Sequence, residues 1–263
     1  MKTEEKYELL KENLLKYGSL AVAFSAGIDS ALLTLTAHRV LKDNMIAVTA
    51  VSPLMPKAEI EAAKEFCLKN GIKHILCPID NALKNIKDNP KDRCYICKKQ
   101  IMKTLLDKAR ENGINYLAEG SNMDDISDYR PGAKAIAELG LLSPLKQAGL
   151  TKADIREIAR LEGIPFWNKP AYACLATRFP CGSKLTEEKL KAVEAAEDYL
   201  HKKGFLQIRV RCHENLARIE AADEYFERLL NKGLLKEIDL KLKSLGFRYV
   251  SLDLGGYKTG NMN

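Results

Sequence analysis

The stretch SAGIDS, residues 25–30, holds the first group of residues whose types and spacing suit chemistry. It follows a short apolar run and precedes an apolar helical pattern, so it lies where a strand turns into a helix. The hydroxyls of Ser25 and Ser30 can bind phosphoryl oxygens, and Gly27 lets backbone N–H groups approach them at a helix N-terminus. Asp29 would repel bare phosphate, which predicts Mg²⁺ beside it. The stretch therefore predicts a nucleotide phosphate loop. The alternative without function is a strand–helix turn capped by Ser or Asp.

Two common phosphate motifs are absent from this loop. A Walker A motif needs Gly-Lys-Ser/Thr, and the dinucleotide fingerprint needs three glycines where Gly27 stands alone. The loop instead resembles the PP-loop of ATP pyrophosphatases, Ser-Gly-Gly-x-Asp-Ser, with Ala26 in place of the first glycine. The resemblance implies cleavage of ATP between its α and β phosphates, which leaves an adenylate on the acceptor.

Cysteines form the second chemical group. Cys94 and Cys97 are separated by two residues at the entry to a predicted helix, and Cys174 lies in irregular chain with Arg178 close by. The pair alone is compatible with zinc, iron–sulfur or thiol redox chemistry, although thioredoxin-type work is disfavoured because the pair does not follow the first strand. Three cysteines suit a [4Fe–4S] cluster with one open iron. A zinc site completed by Cys181 is the alternative.

The remaining cysteines and the histidines are not expected to hold metal. Cys67, Cys77 and Cys212 are predicted to be small buried hydrophobes, and none of the four histidines is assigned as a ligand. Seven cysteines without an apparent export signal make structural disulfides unexpected.

The composition is that of a soluble globular protein. The 263 residues are 46% hydrophobic and 29% charged. No apolar run approaches the roughly 20 residues that cross a bilayer, and the charged N-terminus does not resemble a signal peptide, so a cytoplasmic protein is expected. The net charge of +7 comes from evenly spread lysines. It is therefore weak support for a nucleic-acid partner.

Apolar strands and amphipathic helices alternate through the first part of the chain. The predicted strands are 20–24, 45–52, 73–79 and 116–120, and the predicted helices are 1–17, 31–42, 58–71, 95–112 and 152–163. This alternation predicts an α/β fold with a doubly wound, mostly parallel sheet.

The pattern changes after residues 164–174, where two prolines and the single Trp interrupt it. A smaller α+β unit is predicted beyond it, with helices 186–204 and 224–246 and strands 206–211, 216–221 and 249–254. The second helix is either continuous or broken at Gly233. We expect a PP-loop domain over 1–168 and a C-terminal substrate and oligomerisation domain over 169–263.

An ordered series of blocks resembles the LarE family of ATP-dependent sulfur transferases, which mature the nickel-pincer cofactor of lactate racemase. The blocks are AFSAGIDS (23–30), NPKDRCYICK (89–98), EGSNMDDISDYRPG (119–132), LSPL (142–145), KPAYACLATRFPCG (169–182) and IRVRCHENLARIE (208–220). The resemblance implies an adenine-nucleotide α-hydrolase-like fold and a nicotinate-derived substrate, pyridinium-3,5-biscarboxylic acid mononucleotide. ATP would adenylate a ring carboxylate, and sulfur would displace AMP to give a thiocarboxylate. A homo-oligomer is expected, with transient contact to other cofactor-maturation proteins.

The resemblance also implies roles for individual residues. The nucleotide and Mg²⁺ would be bound by the loop residues Ser25, Gly27, Asp29 and Ser30 together with Gly120, Asp125 and Arg130. In this reading Gly120 admits the adenine closely. The alternative for this loop is a well-capped turn without function. The catalytic group would comprise Cys174, Glu197, Arg209 and Arg211, with the two arginines on one face of a strand and bound to phosphate. Solvated strand and helix faces are the alternative for the arginines and for Glu197.

Two sulfur sources follow from the same resemblance. Some family members sacrifice the sulfur of the cysteine at the position of Cys174, which becomes dehydroalanine. Others carry three cysteines and use sulfide bound to a [4Fe–4S] cluster. Because Cys94, Cys97 and Cys174 are all present, the cluster route is favoured here.

Three rival functions remain open at this level. A tRNA thiolation enzyme also combines a PP-loop with such cysteines, but we find neither an added zinc module nor an RNA-binding domain. An NAD- or GMP-synthase-type amidotransferase has no use for the cysteine set. A non-catalytic nucleotide sensor would make the cysteines and arginines accidental.

Overall fold

The computed structural model describes residues 1–126, 131–168 and 173–258. Its contacts divide the chain into two compact units, one comprising Met1–Ala82 and Cys94–Tyr172 and the other Leu83–Arg93 and Ala173–Asn263. The sequence predicts a single division after residue 168, whereas the second unit also takes in the eleven-residue segment Leu83–Arg93. In the described ranges, no helix is both long and apolar enough to cross a membrane.

The first unit alternates strands and helices. Its strands are β1 (Leu20–Ala23), β2 (Met45–Val51), β3 (His74–Pro78) and β4 (Leu117–Ala118). Its helices are α1 (Thr3–Leu15), α2 (Ile28–Leu41), α3 (Lys57–Lys69), α4 (Arg93–Glu111), α5 (Pro131–Glu138), α6 (Pro144–Gln147) and α7 (Lys152–Leu161). Helix α2 begins three residues before its apolar pattern does, because Gly27 rather than Ser30 is its N-cap.

The four strands form one parallel sheet in the order β3-β2-β1-β4. Strand β1 is buried at all four positions because it pairs with a strand on each side and helices flank the sheet. The predicted α/β fold with a doubly wound parallel sheet is confirmed. From β1 the chain adds β2 and β3 on one side of the sheet and β4 on the other, so the strand order switches between β1 and β4. Sheets of α/β proteins bind ligands at such a switch point, outside the carboxyl ends of the strands.

The carboxylate of Asp154 in α7 is hydrogen-bonded to residues of helix α1. Asp154 accepts hydrogen bonds from Thr3 Oγ1 at 2.8 Å and Lys6 Nζ at 2.7 Å, and from the Thr151 hydroxyl that caps α7. Burial raises the pKa of Asp154, but the hydrogen bonds from Lys6 and Thr151 outweigh that effect and hold it well below its ordinary value. The ionised carboxylate therefore stabilises this corner of the unit.

The second unit is a small α+β structure. Its elements are α8 (Glu187–Lys202), β5 (Ile208–His213), β6 (Leu216–Ala221), α9 (Phe226–Leu229), α10 (Lys232–Ser244) and β7 (Tyr249–Leu252). Strand β6 pairs antiparallel with β5 and parallel with β7. The segment predicted as helix 224–246 is interrupted, but at residues 230–231 rather than at Gly233. The Asn231 side chain accepts from the amides of Gly233 and Leu234 and caps α10 there.

Candidate active site

The loop between β1 and α2 is closed by its own hydroxyl groups. Ser30 Oγ accepts from the Ser25 amide at 3.2 Å, lies 3.1 Å from Ser25 Oγ, and donates to the Gly27 carbonyl at 3.0 Å. Ala26 has φ = 56°, a conformation that suits glycine and costs another residue about 1–2 kcal/mol. The position where the PP-loop pattern has glycine is thus the position that uses a left-handed backbone.

The N-terminus of α2 presents unsatisfied amides beside this loop. The first helical hydrogen bond runs from the Ala31 amide to the Gly27 carbonyl at 2.9 Å, so the amides of the three preceding residues have no partner inside the helix. Such a helix end, following a loop at the carboxyl end of a strand, is a binding site for phosphate. The geometry matches the chemistry predicted for this stretch.

Asp29 has a positive partner in the protein. Lys152 Nζ lies 2.5 Å from Asp29 Oδ2, and Asn122 Nδ2 lies 3.4 Å from Asp29 Oδ1. The ammonium group of Lys152, at the start of α7, therefore provides a counter-charge for Asp29. The Mg²⁺ that the sequence predicts beside Asp29 stays a prediction. Nothing in the spacing of residues 29 and 152 signals this pair.

A pocket of about 470 Å³ opens at the carboxyl ends of β1, β2 and β4. Its volume is in the range of small-molecule sites. The polar lining comes from the loop, from α4 and from the segment after β4: Ser25, Gly27, Asp29, Ser30, Lys98, Glu119, Gly120, Ser121 and Asp125. The apolar lining comprises Ala23, Phe24, Ala50, Met55, Ile101, Met102 and Leu105. The structure thus brings together six of the seven residues expected to bind the nucleotide.

The seventh, Arg130, lies outside the described residues. Asp125 accepts from the Asn122 amide at 3.0 Å, and the neighbouring Asp124 accepts from the Lys152 amide at 2.9 Å, so both carboxylates also shape their loop. Gly120 lines the pocket, but the space left by its missing side chain is taken by α2, because a Cβ there would lie 3.2 Å from Asp29 Cβ. The close approach seen in the structure is to the start of α2, and the contact of Gly120 with an adenine stays a prediction.

Sequence reasoning missed two charged residues in this pocket. Lys98 Nζ lies 3.5 Å from Glu119 Oε2, and Glu119 is only 4% exposed. Glu119 is held by the hydroxyls of Ser143 and Ser121, at 2.7 and 2.9 Å. A signal was available for Lys98, because it lies one helical turn after Cys94, in the same block as both cysteines. Lys98 therefore adds a cation to the lining of the pocket.

In the second unit, Cys174 precedes a short 3₁₀ turn, Leu175–Arg178. The thiol-bearing residue is half-buried. Arg178, which the sequence suggested as a cation near the thiol, is fully buried and donates to the carboxylate of Glu197 and to backbone carbonyls, including that of Cys174. The alternative of Glu197 as a solvated helix residue is wrong, because Glu197 is 2% exposed.

Arg209 and Arg211 alternate on β5 as predicted, but neither is on a solvated face. Arg211 donates to Glu220 at 2.8 Å and to the Thr177 carbonyl at 2.9 Å. Arg209 donates to the Ile208 carbonyl at 2.7 Å, and its guanidinium lies 5.4 Å from the Tyr257 ring centroid. Both arginines are 5% exposed.

Comparison of the sequence with known proteins shows which family the chain belongs to. A family model described as NAD synthase matches residues 3–122. The pyridinium-3,5-bisthiocarboxylic acid mononucleotide synthase of Lactiplantibacillus plantarum is 39% identical over 246 residues, covering 93% of this chain and 88% of that protein. The chain belongs to the LarE family. Its PP-loop half is that of the wider superfamily: a glutamine-hydrolysing GMP synthase chain from Archaeoglobus fulgidus is 29% identical over 163 residues, 57% of this chain and 53% of that protein.

The similarity to LarE-type chains extends over both units. An uncharacterized protein of Synechocystis is 41% identical over 261 residues, which is 99% of this chain and 97% of that protein. The match to GMP synthase covers a much smaller share. The similarity to the LarE family therefore includes the segments of the second unit that carry Cys174, Arg209 and Arg211.

Cys94 and Cys97 of this LarE-family chain lie in the first turns of α4, as predicted. Cys94 is four residues before Lys98 and Cys97 four before Ile101, so each precedes a pocket-lining residue by about 6 Å along the helix. The third cysteine, Cys174, belongs to the second unit. In the parts of the chain that the structure describes, no group of three or more His, Cys, Asp or Glu residues is arranged to hold a metal.

The other cysteines differ in their environments. Cys67, Cys77 and Cys212 are buried as predicted, and burial raises the pKa of each thiol, to about 12 for Cys67. Cys181 is exposed and accepts a hydrogen bond from Arg93 Nη1 at 3.2 Å.

Proposed function

We propose that this protein is an ATP-dependent sulfur transferase that converts a carboxylate of pyridinium-3,5-biscarboxylic acid mononucleotide into a thiocarboxylate. One observation carries the proposal. The PP-loop pocket, with Lys98 in its lining, occurs in a chain that is 39% identical, over 93% of its length, to a synthase named for the bisthiocarboxylic product. Two such transfers would give the dithiolated mononucleotide.

ATP binding is assigned to the first unit. The phosphates would lie at the N-terminus of α2, where the unsatisfied amides and the hydroxyls of Ser25 and Ser30 donate. The adenine would pack on the apolar wall formed by Met55 and the side chains of α4. Mg²⁺ would enter with ATP as part of the substrate. Asp29 and Asp125 line the pocket and would supply carboxylate oxygens to it, with Mg²⁺ competing with Lys152 for Asp29.

Adenylation turns a poor electrophile into a reactive one. An oxygen of the substrate carboxylate attacks the α-phosphorus of ATP, and the bond to the β-phosphate oxygen breaks to release pyrophosphate. Lys98 and the α2 amides would stabilise the negative charge that builds up on the phosphoryl oxygens. Sulfur then attacks the acyl carbon, and AMP leaves with the electron pair of the acyl–oxygen bond.

The sulfur source is assigned to the cysteines. Three thiols are the donor set of a [4Fe–4S] cluster with one open iron, and Cys94, Cys97 and Cys174 would hold it; when bound, such a cluster supplies hydrosulfide as the nucleophile. In the alternative route, Cys174 itself attacks the acyl-adenylate. Loss of its Cα proton then breaks the Cβ–S bond, leaving dehydroalanine in the protein and sulfur on the substrate.

For the phosphate of the mononucleotide we propose Arg209 and Arg211. Guanidinium groups match phosphate oxygens in pairs. A bound phosphate would have to compete with the Ile208 carbonyl for Arg209 and with Glu220 for Arg211. Replacement of either arginine by Lys should therefore raise KM for the mononucleotide more than KM for ATP.

Exchange of labelled pyrophosphate into ATP tests the adenylation half of the proposal. The exchange should require the biscarboxylic mononucleotide and should not occur with ATP alone. The same assay with tRNA as the acceptor distinguishes the rival function. Exchange or sulfur incorporation with tRNA and none with the mononucleotide would overturn the proposal.

A further inference from the structure

A buried ion pair in the second unit joins the Cys174 segment to α8. Arg178 Nε and Nη2 donate to the two carboxylate oxygens of Glu197, each at 3.0 Å. The side chains of Arg178 and Glu197 are 0% and 3% exposed. Such a two-point pair fixes direction as well as distance.

The third guanidinium nitrogen reaches the backbone that carries the thiol. Arg178 Nη1 donates to the carbonyls of Ala173 at 2.8 Å and Cys174 at 3.3 Å, and to Thr177 Oγ1 at 2.9 Å. Thr177 Oγ1 donates in turn to the Cys174 carbonyl at 2.8 Å. The carbonyls on both sides of the Cys174 Cα are therefore held.

Glu197 connects the same hydrogen-bond network to β5. Its Oε1 also accepts from the Val210 amide at 2.9 Å, between Arg209 and Arg211. One carboxylate thus sets the Cys174 backbone, through Arg178, and the strand that bears both arginines. Arg178 donates to Glu197, to Thr177 and to backbone carbonyls, and these contacts fix the position of the Cys174 backbone.

We propose that Arg178 and Glu197 are positioning residues that hold Cys174 in the orientation needed for sulfur transfer. This inference deepens the proposed function and rests on it for its kinetic readout. It assigns the pair no contact with ATP and no part in adenylation. Loosening the pair should slow the sulfur step while leaving the nucleotide step unchanged.

The test compares Glu197→Gln and Thr177→Val with Glu188→Gln, a control at an exposed residue of the same helix. Thr177→Val keeps the buried ion pair and removes only hydroxyl contacts to Arg178 and the Cys174 carbonyl. We call Arg178, Glu197 and Thr177 the clamp. In Glu197→Gln and Thr177→Val, the two clamp variants, the rate of thiocarboxylate formation at saturating substrates should fall at least tenfold. In Thr177→Val, which leaves the Glu197 contact with the Val210 amide in place, pyrophosphate exchange should stay within twofold of the parent. Thr177→Ser should restore transfer.

Alkylation of Cys174 by iodoacetamide gives a second readout. It is measured by peptide mass spectrometry on the full-length chain before any iron is added. A held, half-buried thiol should react at least threefold faster when its backbone is loosened, so alkylation should rise while sulfur transfer falls. Parallel loss of exchange and transfer in Thr177→Val, or unchanged alkylation and transfer, would overturn the proposal.

The two failures are distinguishable. If the parent protein transfers no sulfur to the mononucleotide, the proposed function fails, and the alkylation rates still decide whether the clamp holds Cys174. If Glu197→Gln does not fold, because removing one partner leaves a buried charge uncompensated, Thr177→Val and Thr177→Ser decide alone.

Discussion

Gly120 lies so close to Ser30 that a Cβ on Gly120 would be 3.0 Å from the Ser30 amide nitrogen. Gly120 follows β4, and Ser30 lies in the first turn of α2, so this contact sets the helix end that carries the phosphate-binding amides. A separation of 3.0 Å is tighter than nine in ten real Cβ contacts, so a side chain there would shift the backbone at the start of α2 by a few tenths of an ångström. The site therefore depends on a residue without a side chain at the end of β4.

Gly120→Ala should displace the start of α2 and weaken nucleotide binding. We expect KM for ATP to rise at least tenfold, since the donors at the helix end move away from the phosphates. ATP dependence of pyrophosphate exchange measures this. A thermal melt on the same variant should show only a modest decrease in Tm, and an unchanged KM would contradict the geometry.

Lys98→Met should remove the cation that faces the phosphates. Loss of one charge-assisted contact in a transition state typically costs about 10²-fold or more in rate, so exchange activity should fall by about that factor. Lys103→Met, at an exposed position of the same helix, is the matched control and should behave like the parent. Equal activity of the two variants would exclude Lys98 from the reaction.

Glu119→Gln should also lower the rate of pyrophosphate exchange, but by less than Lys98→Met does. The amide oxygen can still accept from the Ser143 hydroxyl and the Ser121 amide, whereas the NH2 group in place of Oε2 neither accepts from the Ser121 hydroxyl nor attracts Lys98. We expect a rate loss of about tenfold, less than in Lys98→Met, because the lysine remains. In the double variant the two losses should not multiply, and steady-state exchange rates measure that coupling. Fully independent losses would show that the pair does not act as a unit.

Asp154→Asn should destabilise the first unit by about 1 kcal/mol or more, since it weakens the α7 cap and the bond to Lys6. The pKa of Asp154 is lower in the folded protein than its ordinary value of 3.8, so its stabilisation is present above about pH 4 and is lost as pH falls below it. Urea unfolding at pH 7 and pH 3 measures this. Glu12→Gln, at an exposed α1 position, is the control. An equal difference between Asp154→Asn and parent at both pH values would contradict the assignment.

The parallel sheet and the phosphate loop could be predicted because both are local patterns. Apolar runs mark β1 and β2, and SAGIDS carries its own chemistry. Helix α5 is not predicted, because its eight residues are too few to show a clear apolar period even though Pro131 at its start is a helix signal. The break predicted at Gly233 lies at residues 230–231, because Asn231 caps the second helix.

The partners of charged residues could not be predicted from the sequence. Lys152 meets Asp29 and Arg178 meets Glu197 only because the fold brings distant segments together. Alternation correctly put Arg209 and Arg211 on one face of β5. Whether that face was solvated depended on packing that a single strand does not encode.

The product of the reaction tests the central claim most directly. The protein is mixed with MgATP, pyridinium-3,5-biscarboxylic acid mononucleotide and, for reconstituted anaerobic protein, sulfide, and the mixture is followed by mass spectrometry. We predict AMP, pyrophosphate and a mononucleotide in which sulfur replaces one carboxylate oxygen, with Cys174 unchanged if the cluster route operates and converted to dehydroalanine if it does not. A mononucleotide that gains no sulfur while ATP is cleaved, or that is never adenylated, would contradict the account.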